Sequence, residues 1–132
     1  MEAVVFVGIQ GSGKTTFYLR RFFDTHVRIS LDLLRTRHRE RILLSACLMA
    51  KQPFVVDNTN VRVDERAVYI SAARAAGFRV RGYFFEVEPR IALARNAGRQ
   101  GRQRIPVPGV LGTYKRLEPP RLEEGFDELE IV

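Results

Sequence analysis

One segment near the start of the chain has glycines, a lysine and a threonine at a spacing that suits phosphate chemistry. Residues 8–15 read Gly-Ile-Gln-Gly-Ser-Gly-Lys-Thr and satisfy the pattern G-x-x-x-x-G-K-[ST] in full. Glycines let the backbone turn successive N–H groups inward around a phosphate, and the helix that follows adds partial positive charge. Lys14 is placed to reach the β- and γ-phosphates, and Thr15 to ligate Mg²⁺. We call residues 8–15 the phosphate loop. It predicts binding of ATP with Mg²⁺ through Gly8, Gly11, Ser12, Gly13, Lys14, Thr15 and Thr16.

Two carboxylates follow strand-like runs. Asp32 comes after the run 27–30, where its carboxylate could accept the proton of an attacking hydroxyl, although helix capping by Asp32 or Ser30 explains it equally well. Asp57 ends the run 54–57, as expected for a carboxylate near Mg²⁺ and its waters. The polar residues Asn58 and Asn60 either form a turn or orient Asp57 and the acceptor.

Arginines are placed where they could hold two sets of phosphates. Arg35 and Arg39 follow Asp32 by three and seven residues. On one continuous helix this spacing puts all three side chains on the same face, where the two arginines could bind an acceptor phosphate. Arg37 and Arg41 are predicted to face solvent. A Gly- and Gln-containing stretch carries further guanidinium groups that could close over a γ-phosphoryl group, or form a solvated loop: Arg95, Arg99, Arg102 and Arg104.

Length and composition indicate one globular domain, 1–132. The 132 residues are 45% hydrophobic and 28% charged, which excludes a disordered, collagen-like or disulfide-stapled chain. Apolar runs fall far short of the roughly 20 residues of a membrane span. With no export signal at the start, we expect a cytoplasmic protein without a membrane partner. The single Cys47 is expected to be a buried thiol without chemistry.

The charge distribution favours a phosphate-bearing partner. The formal net charge is +7, and residues 90–117 contain seven basic residues and no acidic one. Such a field attracts polyanions, of which nucleic acid is the largest, while a solvated basic face is the alternative interpretation.

Strand-like and helix-like segments alternate along the chain. We predict strands at 3–7, 27–30, 54–57, 80–87 and 126–132, and helices at 14–23, 33–51, 64–76, 89–95 and 110–116. This order predicts an α/β fold with a parallel sheet and helices on both faces, since parallel strands need crossover connections. Function should then lie at the carboxyl ends of the strands.

Together these residues resemble the 5′-hydroxyl polynucleotide kinase module of bifunctional end-healing enzymes, within the P-loop kinases. The similarity is scattered over nearly the whole chain and includes the phosphate loop, Asp32 with Arg35, residues 56–60, 75–77, 95–99, 105–106 and 119–126. Two departures stand out. The chain has Ser30-Leu31-Asp32 where such kinases carry Asn-Arg-Asp, and Gln10 where they often carry proline.

The resemblance implies a P-loop three-layer sandwich with strand order 2-3-1-4-5 and a lid at about 95–106. It implies that Asp32 is the general base, that Arg35 contacts the phosphate next to the reacting nucleotide, and that Asp57 supports Arg35 or the metal shell. It further implies that Arg95 and Arg99 embrace the phosphates of the donor.

These inferences predict an ATP-dependent kinase that phosphorylates the 5′-hydroxyl end of DNA or RNA. The predicted catalytic residues are Asp32, Lys14 and Arg99; the acceptor-binding residues are Arg35, Asp57, Asn58 and Asn60. Two alternatives stay open: a kinase of the same fold acting on a small metabolite or nucleoside, and a nucleotide-dependent binding module in which hydrolysis switches a partner interaction.

Overall fold

The apolar runs form one sheet of five parallel strands. The strands are β1 Glu2–Val7, β2 Val27–Ile29, β3 Phe54–Val56, β4 Arg79–Phe84 and β5 Glu128–Ile131. Their order in the sheet is β2-β3-β1-β4-β5, with every pairing parallel, which confirms the predicted order. The structure is a computed structural model that describes residues 1–132, with Arg102 described by its backbone alone.

Six helices connect the strands. They are α1 Lys14–Arg21, α2 Leu31–Leu34, α3 Arg37–Ala50, α4 Val63–Ala75, α5 Pro89–Ala97 and α6 Val107–Arg116, with short 3₁₀ turns at Gly101–Gln103 and Leu122–Glu124. Most predicted boundaries agree to within three residues. In the described part of the chain, no helix has the length and apolar character needed to cross a bilayer.

The central strand β1 is buried on both faces, so successive residues meet different helices. Val5 belongs to a core that includes Cys47 of α3 and Tyr69 of α4. Val4 and Phe6 point to the other face and pack with Tyr18 of α1. The predicted arrangement of helices on both faces is therefore confirmed, and Cys47 lies in the core as expected.

The predicted helix 33–51 is wrong in one respect that matters for the site. Arg35 has a left-handed backbone, φ 75°, and ends α2. Thr36 is then the N-cap residue of α3, and its side-chain oxygen accepts a hydrogen bond from the N–H of Arg39 at 3.1 Å. Because helical phase does not continue across this break, Asp32, Arg35 and Arg39 do not share one helix face.

The segment 119–126, which carries part of the family resemblance, has a structural role. The carboxylate of Glu124 accepts two hydrogen bonds from the guanidinium of Arg66, at 2.8 and 2.9 Å, and the Arg66 side chain is completely buried. Phe126 packs over Gly82, where a Cβ atom would lie 2.7 Å from its ring. These contacts dock the segment that leads into β5.

We predict that Glu124→Ala lowers the free energy of unfolding by about 3–5 kcal/mol, because it leaves a buried guanidinium without its partner. Glu123→Ala is the matched control, since Glu123 pairs with Arg121 on the surface, where both side chains are about three-quarters exposed. Its loss should be under about 0.5 kcal/mol. Urea unfolding measures both, and equal losses would contradict the structural role of the Arg66–Glu124 pair.

Candidate active site

A cavity of about 540 Å³ lies at the carboxyl ends of β1, β2 and β3, where the fold places a site. It brings together most of the residues predicted from the sequence. Those that line it are Gly11, Ser12, Gly13, Lys14, Thr15, Thr16, Asp32, Asp57, Asn58, Asn60, Arg95 and Arg99. Of the predicted site residues, Gly8 and Arg35 are outside this lining.

The phosphate loop has the backbone that its glycines predict. Gly11 and Gly13 have φ angles of 78° and 99°, in the left-handed region that favours glycine. Gly8 is required for a different reason, because a Cβ atom there would lie 2.6 Å from the Ser12 hydroxyl and 2.9 Å from Phe85. The helix α1 begins directly after Gly13, so its first N–H groups face the cavity without intrahelical partners.

Lys14 lies against the phosphate loop itself. Its Nζ donates hydrogen bonds to the carbonyl oxygens of Gly8 and Ile9, both at 2.9 Å. The pKa of Lys14 is lowered from 10.5 to about 8, mainly by burial and also by the Arg99 guanidinium, while the Asp57 and Asp32 carboxylates act in the opposite direction. The ammonium therefore lacks a full counter-charge, which an anionic ligand would supply.

Thr15 and Asp57 form one oxygen-rich corner of the cavity. The Thr15 hydroxyl donates to Asp57 Oδ2 at 3.0 Å, and the Arg28 Nε donates to the same oxygen at 2.8 Å. Asp57 thus contacts Arg28 rather than Arg35, and sequence reasoning missed Arg28, a basic residue inside an otherwise apolar strand. Hydroxyl and carboxylate oxygens are the ligands that Mg²⁺ uses beside substrate phosphates, so Thr15 and Asp57 fit such an ion. Among the described residues there is no cluster of three His, Cys, Asp or Glu side chains that could hold a metal alone.

Asp32 lies in the first turn of α2, exposed at the cavity wall. The N-cap residue is Ser30, and neither side chain makes a capping hydrogen bond there. Instead, the N–H of Leu31 donates to Asn58 Oδ1 at 2.9 Å. The capping interpretation of Asp32 is therefore wrong, and its carboxylate is left to face the cavity.

Asn58 and Asn60 use their side-chain amides within the protein. Asn58 Nδ2 donates to Glu40 Oε2 at 2.9 Å, and Asn60 Nδ2 donates to the carbonyl of Phe6 at 2.9 Å. Asn60 also has a φ of 45°, which asparagine tolerates better than most residues. These bonds fix the segment after β3 beside the phosphate loop, whereas contact with an acceptor stays a prediction.

Two of the predicted lid arginines, Arg95 on α5 and Arg99 just after it, line the cavity beside the phosphate loop. Arg95 Nη1 donates to the carbonyl of Gly11 at 3.3 Å. Arg104 instead lines an adjoining pocket of about 250 Å³, and the side chain of Arg102 lies outside the described residues. Sequence reasoning missed Asn96, whose amide bonds both the N–H and the carbonyl of Ile105 and so closes the base of the lid segment.

Arg37, predicted to face solvent, lines the cavity. Its Nη1 donates to Glu40 Oε1 and to the Tyr69 hydroxyl, both at 3.0 Å. Tyr69 in turn donates to the same carboxylate oxygen at 2.7 Å, and burial together with Glu40 raises the pKa of Tyr69, so it stays protonated. Half of the Arg37 side chain is exposed as predicted, but the prediction missed its place in the cavity because it continued one helical phase through the break at Arg35.

Two buried polar atoms test whether the cavity fits a phosphate group. The Ser12 hydroxyl and Gln10 Oε1 have no hydrogen-bond partner in the described part of the protein. Buried hydroxyls are normally paired, so a free donor in the phosphate loop suits a phosphate oxygen. Gln10 Nε2 donates to the Thr113 hydroxyl at 3.1 Å and ties the loop to α6. The cavity thus offers a lysine, a hydroxyl, helix N–H groups and two arginines to a polyphosphate.

Comparison with known proteins agrees with this geometry. A profile of the AAA domain family matches residues 4–118. The bifunctional polynucleotide phosphatase/kinase of Schizosaccharomyces pombe is 26% identical over 135 residues, which include 99% of this chain. The chain spans 33% of the length of that relative. The resemblance to polynucleotide kinases is thereby confirmed.

Solved structures share the fold at lower identity. Kti12 of Chaetomium thermophilum, in complex with ADP-AlF3, matches with a TM-score of 0.70 and 17% identity over 98% of this chain and 88% of its own. A gluconokinase of Sinorhizobium meliloti matches with a TM-score of 0.66 and 18% identity, over 98% and 82%. The chain therefore shares the fold of these proteins.

We predict that Gly11→Ala weakens ADP binding at least tenfold, because its Cβ atom would lie 2.5 Å from the carbonyl oxygen of Ala92 and push the phosphate loop away. Gly77→Ala is the control, since Gly77 also has a positive φ, 81°, but has open space around it. It should cost about 1–2 kcal/mol of stability and leave the affinity unchanged. Calorimetric titration measures the affinity; equal affinities of the two variants would contradict the prediction.

We also predict that ADP affinity falls as pH rises above about 8. Phosphate oxygens favour the charged form of Lys14 and raise its pKa in the complex, so above pH 8 binding must take up a proton that the free protein has lost. The decrease approaches tenfold per pH unit. Calorimetric titration with ADP in buffers of different ionisation enthalpy measures the proton uptake. The variant Lys14→Arg stays charged in this pH range, so its ADP binding should take up no proton. Uptake that persists in this variant would show that another group titrates.

Proposed function

Because the chain belongs to the AAA domain family, we propose that it is a kinase that transfers the γ-phosphoryl group of ATP to the 5′-hydroxyl end of DNA or RNA. The observation that carries this proposal is the shared cavity. The phosphate loop, the Asp32 carboxylate, and Arg95 of α5 with Arg99 just after it come from three separate parts of the chain and line the same space. A phosphoryl donor, an attacking hydroxyl and a base could therefore meet there.

The chemistry follows from this placement. Asp32 accepts the proton of the acceptor hydroxyl, whose oxygen attacks the γ-phosphorus while the bond to the β-phosphate oxygen breaks. Lys14 binds the β- and γ-phosphates, and Arg95 and Arg99 offset the negative charge that spreads over the γ-oxygens during transfer. Thr15 and Asp57 would hold Mg²⁺, which would supply positive charge to the donor phosphates. The lid segment 95–106 shields the reaction from water.

Nucleic acid as the acceptor is supported by two observations. The relative from Schizosaccharomyces pombe is named as a polynucleotide phosphatase/kinase and aligns over 99% of this chain. Two of the seven basic residues of 90–117, Arg95 and Arg99, also line the cavity, and this segment has no acidic residue. Such segments attract a phosphate backbone and would be unnecessary for a neutral metabolite.

Incubation with γ-labelled ATP tests the proposal directly. The acceptors are 5′-hydroxyl DNA, 5′-hydroxyl RNA and a panel of nucleosides and sugars. We expect label on the 5′ ends, and affinity for them that falls steeply with salt because bound phosphates release counterions. Label on a small metabolite alone would instead indicate a metabolite kinase. Label released only as free phosphate would indicate a nucleotide switch.

For the base, we predict that Asp32→Asn lowers the transfer rate at least about 100-fold, because general-base catalysis contributes on that order or more. The affinity for ATP should change less than about twofold, since the phosphate loop is intact. Asp24→Asn is the matched control, because Asp24 is an exposed carboxylate outside the cavity. Transfer by Asp32→Asn at the rate of this control would refute the assignment.

A further inference from the structure

Resting on the proposed function, we propose that Arg37 binds the acceptor phosphate nearest to the reacting hydroxyl, and that Glu40 is its positioning residue. The resemblance implied Arg35 for this contact. Arg35, however, is exposed, ends α2 in a left-handed conformation and is not part of the cavity lining. Arg37 begins α3 and does line the cavity.

The hydrogen bonds of Arg37 leave its anion-binding edge available. A guanidinium has five N–H donors, and the two bonds to Glu40 and Tyr69 both come from Nη1. Nε and Nη2 bond no other residue in the described part of the chain, and their parallel N–H groups form the fork that binds phosphate at two oxygens. With half of its side chain exposed, Arg37 can reach a ligand in the cavity.

The buried Glu40 fixes the orientation of the Arg37 side chain. Its carboxylate is buried, with 4% of the residue exposed, and it accepts hydrogen bonds from Arg37, Tyr69 and Asn58. A buried carboxylate is stable only when such donors surround it, so it holds each of them in one position. The Arg37 side chain is therefore oriented before an acceptor arrives.

The same cluster also supports the base. Asn58 donates to Glu40 through Nδ2 and accepts the N–H of Leu31 through Oδ1, at the first turn of the helix that carries Asp32. Arg37 and the first turn of α2, which carries Asp32, are thus both bonded to one buried polar cluster, and Arg37 and Asp32 line one cavity. A phosphate bound by Arg37 would place the neighbouring 5′-hydroxyl near Asp32. This arrangement favours acceptors with a charged first linkage over nucleosides.

A neutral linkage in the acceptor tests this contact. Three 5′-hydroxyl oligonucleotides of one sequence are compared: unmodified, with a methylphosphonate at the first linkage, and with one at the fifth. For the wild type we expect KM to rise about 10- to 100-fold with the first-linkage substitution, as for loss of a charge-assisted fork, and less than threefold with the fifth. Arg37→Ala should show the raised KM on every acceptor and no further increase with the first-linkage substitution.

Two more variants complete the comparison. Arg41→Ala, an exposed arginine of the same helix outside the cavity, should keep the wild-type pattern. Glu40→Gln should raise KM for the unmodified acceptor while kcat changes little, and adding it to Arg37→Ala should raise KM no further, because it acts through Arg37. Should Arg37→Ala fail to fold, Arg37→Lys keeps the charge without the fork and should lose most of the sensitivity to the first linkage.

The outcomes separate this inference from the function on which it rests. Absence of transfer by the wild type to any of the three acceptors would overturn both. Transfer by the wild type, with Arg37→Ala or Arg37→Lys still fully sensitive to the first linkage, would overturn the role of Arg37 alone. The same holds if Arg35→Ala, rather than Arg37→Ala, removes that sensitivity. A KM increase for Glu40→Gln that adds fully to that of Arg37→Ala would overturn the positioning role of Glu40.

Discussion

Hydrogen bonds that join the carboxyl ends of β1, β2 and β3 hold the active-site loops in register. The N–H of Gly8 donates to the carbonyl of Thr59 at 3.0 Å, Asn60 Nδ2 donates to the carbonyl of Phe6, and the N–H of Asp57 donates to the carbonyl of Ile29 at 2.8 Å. The bond from Asp57 extends the pairing of β2 with β3, and the other two join the segment after β3 to the end of β1. The phosphate loop and the segment after β3 therefore act as one rigid wall, and side chains from either can be placed to within hydrogen-bonding accuracy.

The electrostatics of the cavity follow from this rigidity. Lys14, Arg95, Arg99 and Arg37 all line one space, and their mutual repulsion in a partly desolvated site costs free energy that an isolated protein must bear. Burial is the main cause of the lowered pKa of Lys14, and repulsion by the Arg99 guanidinium contributes to it. A bound polyphosphate offsets both the repulsion among these cations and the burial of the Lys14 ammonium. The charges that make the empty cavity unfavourable are thus the source of its affinity for anions.

Local sequence patterns predicted the sheet, the phosphate loop and the position of Asp32, because each depends on residues that are neighbours in the chain. What escaped prediction depends on partners far apart in sequence. The break at Arg35 brings the half-exposed Arg37 side chain to the cavity, and only the Thr36 cap marks this break locally. Arg28 and Arg66 looked like ordinary arginines. Their partners, Asp57 and Glu124, lie 29 and 58 residues away, a distance that periodicity cannot bridge.

Arg66 also links the site to the segment 119–126, which lies outside the cavity lining. Its Nη1 donates to the carbonyl of Asn60 at 2.8 Å, while Nε and Nη2 hold Glu124. Asn60 in turn holds the end of β1. The tail carboxylate therefore neutralises the arginine that supports the wall of the phosphate loop. Since a buried guanidinium needs this counter-charge to remain in place, the wall depends on the tail even though the tail touches no substrate.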